Sequence, residues 1–169
     1  MTVTDNPQIP LSVRETEFEK RRGISRMEIR HGFAQVHVLS IAGETHAGRL
    51  AVLAAIARAE ISIDFLKLTP SGLSFLISND VAERAGHALR EVALKWTIQQ
   101  DRAIVLVHAV NIRDEEGMIA RIVSAAIASG ITLEHIGDMH DRMLMVVAES
   151  DAERLLRALA ALAEAEGNR

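Results

Sequence analysis

The stretch Ala34-Gln-Val-His-Val38 is matched 69 residues further on by Ala103-Ile-Val-Leu-Val107, and this repeat decides the fold. The first, third and fifth residues of both stretches are apolar, and this period of two predicts a half-buried β-strand. Gly48 falls on Gly117 at the same shift. A match kept over such a span indicates that the chain contains two copies of one unit.

Each copy continues with a helix. Gly48 and Gly117 are predicted to open the two helices, and apolar residues then recur with the helical period of 3.6. The apolar stripe predicted for the first helix is Leu50, Leu53, Ile56 and Ala57, and that for the second is Ile119, Ile122, Val123, Ala126 and Ile127.

A hairpin follows the helix. The alternating run Ile61-Ser-Ile-Asp-Phe65 predicts a strand, and Pro70-Ser-Gly72 turns the chain back into a further strand, Leu73 to Ile77. In the second copy Ile131-Thr-Leu-Glu134 occupies the place of the first run.

A second helix is predicted after the hairpin in each copy. Asp80 with Glu83, and Ser150 with Glu153, fit the capping box that satisfies the first free amides of a helix. The buried face of the last helix is predicted to be Leu155, Leu156, Leu159 and Leu162.

These elements give a β-α-β-β-α-β order if Lys95 to Gln99 closes the first copy, which is the ferredoxin-like arrangement. The sequence therefore predicts an α+β fold of two such units, each an antiparallel sheet with helices on one face. The second copy lacks a closing strand, and an open edge would expose unpaired backbone groups. We expect Gly23 to Arg30 to supply this strand, so that the first unit is inserted in the second. The predicted divisions are a flexible tail at 1–22, one unit at 33–99, and the other at 23–31 plus 102–165.

Composition narrows the classes of function. A net charge of −4 provides no positive field to attract phosphate backbones, and an aromatic content of 3% provides few side chains on which bases could stack. We therefore expect no nucleic-acid partner. The absence of cysteine excludes disulfides and thiolate metal sites and fits the cytoplasm. No apolar run approaches the roughly 20 residues of a membrane helix, and residues 1–30 hold no secretory signal.

The repeated unit resembles the ACT regulatory module. More narrowly, Ala59 to Gly72 and Gly117 to Val123 are similar to the C-terminal half of bacterial aspartokinases, especially the type inhibited by diaminopimelate. Gly23-Ile-Ser25 resembles the strand that enters that module, and Asp138-Met-His140 matches an Asp-x-His of its second unit. The resemblance covers Gly23 to Ala163.

The resemblance implies a regulatory chain and not an enzyme. An aspartokinase would carry a catalytic domain ahead of the module, opening on a Lys-Phe-Gly-Gly phosphate loop, and the sequence contains neither this loop nor a Gly-x-x-x-x-Gly-Lys loop. The chain is similar instead to the separate regulatory subunit of some aspartokinases, for which no cofactor is expected.

The resemblance also implies a site for a free amino acid at the boundary between two units. The free amides of a helix start suit a carboxylate, and a nearby acidic side chain can take the ammonium group. By position the first unit would supply Gly43, Glu44, Thr45, Gly48, Ser62, Ile63 and Asp64, and the second Asn111, Asp114, Gly117, Thr132, Leu133, Asp138 and His140.

The sequence departs from the family pattern at both sites. Thr45 stands where the usual loop has an aspartate, and Ala109-Val-Asn-Ile112 replaces a glycine-rich loop. Without those glycines the backbone cannot approach a ligand as closely. The run Asp114-Glu-Glu116 would repel a carboxylate, although it also fits a solvated helix start.

Several polar residues have alternative interpretations. Asp64 and Glu134 alternate with core residues and fit the solvent-facing positions of a strand. His37 and His108 are expected to be partly buried packing residues. The set His135, Asp138, His140 and Asp141 has the ligand chemistry of a zinc or nickel site, but alternate positions face opposite sides, so we expect no metal site.

Three functions remain open at this stage. The leading hypothesis is a homodimeric sensor of lysine, threonine or diaminopimelate that controls aspartokinase-type biosynthesis, with a separate kinase catalytic chain as a candidate partner. The alternative is an interaction subunit that binds no ligand and docks onto a kinase or another biosynthetic enzyme. An enzyme on a ferredoxin-like scaffold would rest on the fold alone.

Overall fold

A computed structural model describes residues 23–39, 45–109, 112, 116–139 and 141–167 of the chain. This part has an α+β fold, in which six strands form one antiparallel sheet and four helices accompany it. The elements in chain order are β1 (Ile24–Leu39), α1 (Thr45–Arg58), β2 (Phe65–Thr69), β3 (Gly72–Ser78), a 3₁₀ turn (Asn79–Val81), α2 (Ala82–Arg90), β4 (Lys95–Ala109), α3 (Met118–Ala128), β5 (His135–Asp138), β6 (Arg142–Ala148) and α4 (Glu149–Gly167).

The sheet has the strand order β2-β3-β1-β4-β6-β5. β1 and β4 run side by side at its centre, with Ile29 opposite Val105 in one half of the pair and Val36 opposite Ile98 in the other. β3 extends the sheet beside one half of β1, and β6 extends it beside the opposite half of β4. The entering segment 24–30 therefore pairs with the first strand of the second copy, as predicted.

Both central strands bend near their middle. Gly32 in β1 and Asp101 in β4 have positive φ values of 82° and 55°, and the register of the β1–β4 pair shifts on both sides of Phe33. The sequence predicted four short strands here, whereas the structure joins them into two long ones. A single residue in the left-handed region bends a strand without ending it.

The alternation of side chains separates two faces of the sheet. The helix-covered face holds two apolar clusters, one containing Val36, Ile56, Phe75 and Leu89 and the other containing Val105, Ile122, Met145 and Leu155. The opposite face holds a third cluster, Phe33, Leu76, Ile104, Leu106, Leu144 and Val146, with Phe65 at its side.

The sheet curls until its two edge strands meet. The ring of Phe65 in β2 lies 4.5 Å from the ring of His135 in β5, centroid to centroid, at an angle of 79°. A Cβ added to Gly137 of β5 would lie 3.2 Å from the Phe65 ring. The third cluster is therefore enclosed between the two halves of the curled sheet, which we call the inner face.

The predicted start of the first helix is wrong, and its predicted stripe is only partly correct, since Ile56 is buried and Leu53 packs against the core. α1 already includes Thr45, so Gly48 lies inside it, and Leu50 is 66% exposed while Val52 and Ile56 are buried. Ala57 is also exposed. Because α1 is rich in Ala and Leu on every side, its apolar residues do not mark one face clearly.

The second predicted stripe is partly correct. Gly117 is the N-cap of α3, and Ile122 and Ala126 are buried together with Met118. Ile127 is 62% exposed, contrary to the prediction. In α4, Leu155 and Leu159 are fully buried, and Leu156 and Leu162 are half-buried.

The strands that follow α1 and α3 begin later than predicted. Residues 61–64 and 131–134 are irregular, and β2 and β5 begin at Phe65 and His135. Glu60 and Gly130 leave the helices with φ values of 54° and 70°. Because the chain leaves each helix in the left-handed conformation, residues 61–64 and 131–134 form irregular links, and each following strand is shorter than predicted.

The predicted capping boxes do not form. A 3₁₀ turn precedes α2, and its N-cap Val81 makes no side-chain capping bond. α4 begins at Glu149, so Ser150 lies within the helix and not at its cap. Asn79 instead bonds through its side chain to Asp101 of β4, over 3.4 Å in each of two bonds.

Within the described ranges, no helix is long and apolar enough to cross a bilayer.

Candidate functional site

Arg49 ties the start of α1 to the turn between β2 and β3. Its guanidinium donates to the carbonyl of Thr69, and to those of Gly72 and Pro70 over 3.4 Å each. Gly72 closes the same turn against β1, where an added Cβ would lie 2.2 Å from the Val38 carbonyl oxygen. The start of α1, the end of β1 and the β2–β3 turn therefore meet at one end of the sheet.

The residues predicted for the first site lie in two separate places. Thr45 and Gly48 are in the first part of α1, whereas Ser62, Ile63 and Asp64 follow its other end. Asp64 donates its backbone N–H to the carbonyl of Leu76 in β3 over 2.9 Å. Leu76 lies about 13 Å along β3 from the β2–β3 turn, at about 3.3 Å per residue. One chain therefore does not bring the two groups around one small ligand. Gly43 and Glu44 lie outside the described residues.

Asp64 also has a charged partner. Its carboxylate lies 3.1 Å from the guanidinium of Arg30 in β1, and both side chains are partly exposed. A ligand ammonium group would have to compete with this guanidinium for the carboxylate. Ser62 is exposed and Ile63 is half-buried beside it.

The second predicted site repeats this separation. Gly117 caps the start of α3 with a φ of 75°, and Thr132 and Leu133 follow the other end of that helix. Asp138 ends β5 at the turn into β6, and Ala109 donates to the carbonyl of Asp141 in this turn over 3.0 Å. Asn111, Asp114 and His140 lie outside the described residues.

The β5–β6 turn carries a tight ion pair. Arg142 donates to both carboxylate oxygens of Asp141 over 2.9 Å each, and these bonds lower the pKa of Asp141 and raise the pKa of Arg142. In the ranges that the structure describes, no three His, Asp or Glu side chains are arranged to hold a metal ion.

A buried polar group on the inner face was not expected from the sequence. Gln35 and His135 are 1% and 6% exposed, and Gln35 donates its amide to the hydroxyl of Ser74 over 3.2 Å. Arg102 and Glu134 lie 3.8 Å apart beside them. Of the two residues predicted to face solvent, Asp64 is exposed and Glu134 is half-buried.

Burial governs the histidines of this face. It lowers the pKa of His135, and the positive charge of Lys67 and the neighbouring His37 lower it further. Burial likewise lowers the pKa of His37, opposed by Glu134 and assisted by Arg102. His37 and His108 are half-buried, in line with the predicted packing role.

An open cleft lies between α2 and the first half of β4, with a volume of about 440 Å³. Trp96 and Ile98 of β4 line it from the sheet, and Glu83, His87 and Arg90 line it from the helix. The sequence predicted a helix and a strand in this region but no binding site. The single Trp of the chain, beside a helix with charges at both ends, was the available signal.

Comparison with known proteins points to one group of relatives. No family model matches the sequence. Aspartokinase 1 of Bacillus subtilis is 28% identical over 108 residues, which are 64% of this chain and 27% of that protein. This chain therefore spans only about a quarter of that relative's length.

Solved structures share the fold. The ligand-free regulatory subunit of aspartate kinase from Thermus thermophilus aligns with a TM-score of 0.74 at 21% identity, over 83% of this chain and 97% of that one. Aspartokinase III of E. coli in complex with lysine and aspartate aligns with a TM-score of 0.68 at 16% identity, over 86% of this chain and 34% of that one. The resemblance to aspartokinase regulatory regions, predicted from the sequence, is confirmed at the level of the fold.

Proposed function

We propose that this chain is a non-catalytic regulatory protein that binds a free amino acid and controls an aspartate kinase, with two ACT units at 33–99 and at 23–31 plus 102–165. The observation that carries the proposal is the match to 97% of a solved regulatory subunit. Lysine is bound in one aligned aspartokinase, and threonine and diaminopimelate are the other candidate effectors.

The proposed ligand lies at a boundary between two units. Free amides at the start of α1, near Thr45 and Gly48, would hold its carboxylate. Asp64 would take its ammonium group by a charge-assisted hydrogen bond. The start of α1 lies at the β2–β3 turn, whereas Asp64 bonds to Leu76, which is about 13 Å along β3 from that turn. We therefore propose that the two groups at one ligand come from different units of a homodimer. Ligand binding and pairing of the two copies are then linked.

The ion pair between Arg30 and Asp64 favours a second candidate function. With its carboxylate held by a guanidinium at 3.1 Å, Asp64 has a charge partner without any ligand. An interaction subunit that docks onto a kinase or another biosynthetic enzyme, and binds no amino acid, would use the fold in this state.

Thermal unfolding with added amino acids separates the two functions. A ligand bound only by the folded state stabilises it by about 2.7 kcal/mol at a hundredfold excess over Kd, so we expect lysine, threonine or diaminopimelate to raise the Tm. Asp64→Ala should abolish the rise. Arg30→Ala breaks the same ion pair but leaves the carboxylate, and should preserve it. A Tm unchanged by any of the three would favour the interaction subunit.

A further inference from the structure

The cleft between α2 and the first half of β4 has the size and composition of a small-molecule site. Its volume of about 440 Å³ falls within the roughly 300–1,000 Å³ that is usual for ligand pockets. Trp96 and Ile98 form an apolar floor and are half-buried. Glu83, His87 and Arg90 stand along the helix wall and are exposed. None of these residues belongs to either amino-acid site predicted from the sequence.

Gly86 keeps the floor of the cleft open. It is a buried residue inside α2, and a Cβ added to it would lie 3.6 Å from the ring of Trp96 and 3.8 Å from Ile98. Both distances are ordinary van der Waals contacts, so packing would accept alanine, which also favours a helix more than glycine does. Glycine here therefore weakens the helix without a steric reason, and it leaves the surface of the indole ring free for a ligand.

Arg90 and His87 form a pair of hydrogen-bond donors at one end of the cleft. A guanidinium group has donors only, so Nη1 of Arg90 donates to Nδ1 of His87 over 3.2 Å. Nε2 of His87 then carries the ring hydrogen and is itself a donor. This N–H and the remaining N–H groups of Arg90 suit a carboxylate, which accepts charge-assisted hydrogen bonds.

The opposite end of the cleft offers acceptors. Glu83 is seven residues before Arg90, about 10.5 Å along the helix axis, and forms no ion pair with another described residue. Gln100 lines the same end, because Asn79 at the start of α2 bonds to the neighbouring Asp101. A carboxylate and an amide oxygen together can accept hydrogen bonds from an ammonium group.

We propose that this cleft binds a linear ω-amino acid, a molecule with a carboxylate and an ammonium group at opposite ends of an aliphatic chain. The carboxylate lies against Arg90 and His87, the methylene groups cover Trp96, and the ammonium group reaches Glu83. Six bonds between the carboxyl carbon and the nitrogen span roughly 7–8 Å, and a charge-assisted hydrogen bond at each end completes the distance to the helix side chains.

Fluorescence of the full chain tests the site directly. Trp96 is the single tryptophan and the chain has no tyrosine, so tryptophan emission reports on this cleft. The probe is ε-aminocaproate, and we expect a saturable change with a Kd on the order of 1 mM. Caproate and hexylamine each lack one of the two charges and should bind about tenfold more weakly or worse. Ligand-observed NMR on the same samples detects binding independently of the emission.

Variants of α2 locate the bound probe. Gly86→Ala should raise the Tm by about 2–4 °C, yet weaken binding by about tenfold or more, because the new methyl group takes the space over the indole ring. Glu83→Gln and Arg90→Gln should each weaken binding by about tenfold. Arg84→Gln, a charge change on α2 outside the cleft, should leave the Kd unchanged.

Three outcomes would overturn the proposal. The first is no binding by either measurement up to about fifty times the expected Kd. The second is equal binding of caproate or hexylamine, which would show that one charged end is not used. The third is an unchanged Kd in Gly86→Ala.

The cleft and the proposed amino-acid site can fail separately. Asp64→Ala should abolish the rise in Tm with an effector amino acid but leave the Kd of ε-aminocaproate unchanged. Glu83→Gln should do the reverse. Loss of ε-aminocaproate binding in folded Asp64→Ala would place the probe at the amino-acid site and not in the cleft.

Discussion

Gly72 shows how closely the backbone restricts one position at the residue scale. Its Cα faces the carbonyl of Val38, and an added Cβ would approach that oxygen to 2.2 Å. Because the atom that the Cβ would meet is a backbone oxygen, no side-chain rotation can relieve the contact. The sequence indicated a turn here but not the contact, because Val38 is distant in the chain.

We expect Gly72→Ala to destabilise the fold by about 3 kcal/mol, at the upper end of the cost of overpacking. Gly130→Ala is the matched control: its φ is 70°, but its Cβ would meet no atom within 4 Å. It should cost about 1 kcal/mol from the left-handed conformation alone. Urea unfolding measures both, and equal losses would show that the 2.2 Å contact is relieved.

The ion pair of Asp64 and the burial of His135 could not be predicted from the sequence pattern. Asp64 was predicted to bind a ligand or face solvent, and its partner Arg30 comes from a distant strand segment. His135 was weighed as a metal ligand and is buried on the inner face instead. The burial of His135 against Phe65 depends on the curl of the sheet, which the periodicity of a single strand does not encode.

At the scale of elements, periodicity predicted the strands better than the helices. The alternation at Val36 and Val105 placed both central strands and their buried faces correctly. For α1 it selected the buried Ile56 but also the exposed Leu50 and Ala57, because a helix rich in Ala and Leu offers several equivalent stripes. Residues 61–64 and 131–134, which lead into β2 and β5, were predicted as strand because apolar and polar residues also alternate there.

The true buried face of α1 is testable with two alanine substitutions. Ile56 is 1% exposed and Leu50 is 66% exposed. Ile56→Ala should cost about 2–5 kcal/mol, as for other buried Ile residues, and Leu50→Ala should stay within about 0.5 kcal/mol. Both changes keep a good helix former. Similar losses in chemical denaturation would mean that α1 packs through the stripe predicted from sequence.

At the scale of the whole molecule, the meeting of β2 and β5 closes the curled sheet through a histidine. His135 faces Phe65 and Lys67 from β2 and His37 from β1, with Glu134 and Arg102 close by. Charging His135 would place a further cation in this buried seam. Closure of the sheet is thus expected to favour neutral His135.

Stability should therefore fall in mild acid. The folded-state pKa of His135 lies below its ordinary 6.5, so below about that pH the unfolded chain binds the proton more readily. This contribution is complete above pH 6.5 and is lost as the pH falls toward the folded-state value. His135→Gln should reduce the decline in unfolding free energy between pH 7.5 and 5, whereas His46→Gln, an exposed substitution, should not. An unchanged slope for His135→Gln would exclude this origin.

The two long central strands make the halves mechanically inseparable. β1 and β4 each support both helix-covered clusters, so no flexible joint lies between the halves. Cutting either strand at its bend would break a covalent link between the two halves. A displacement at one end of β1 or β4 can therefore reach the other end through continuous backbone.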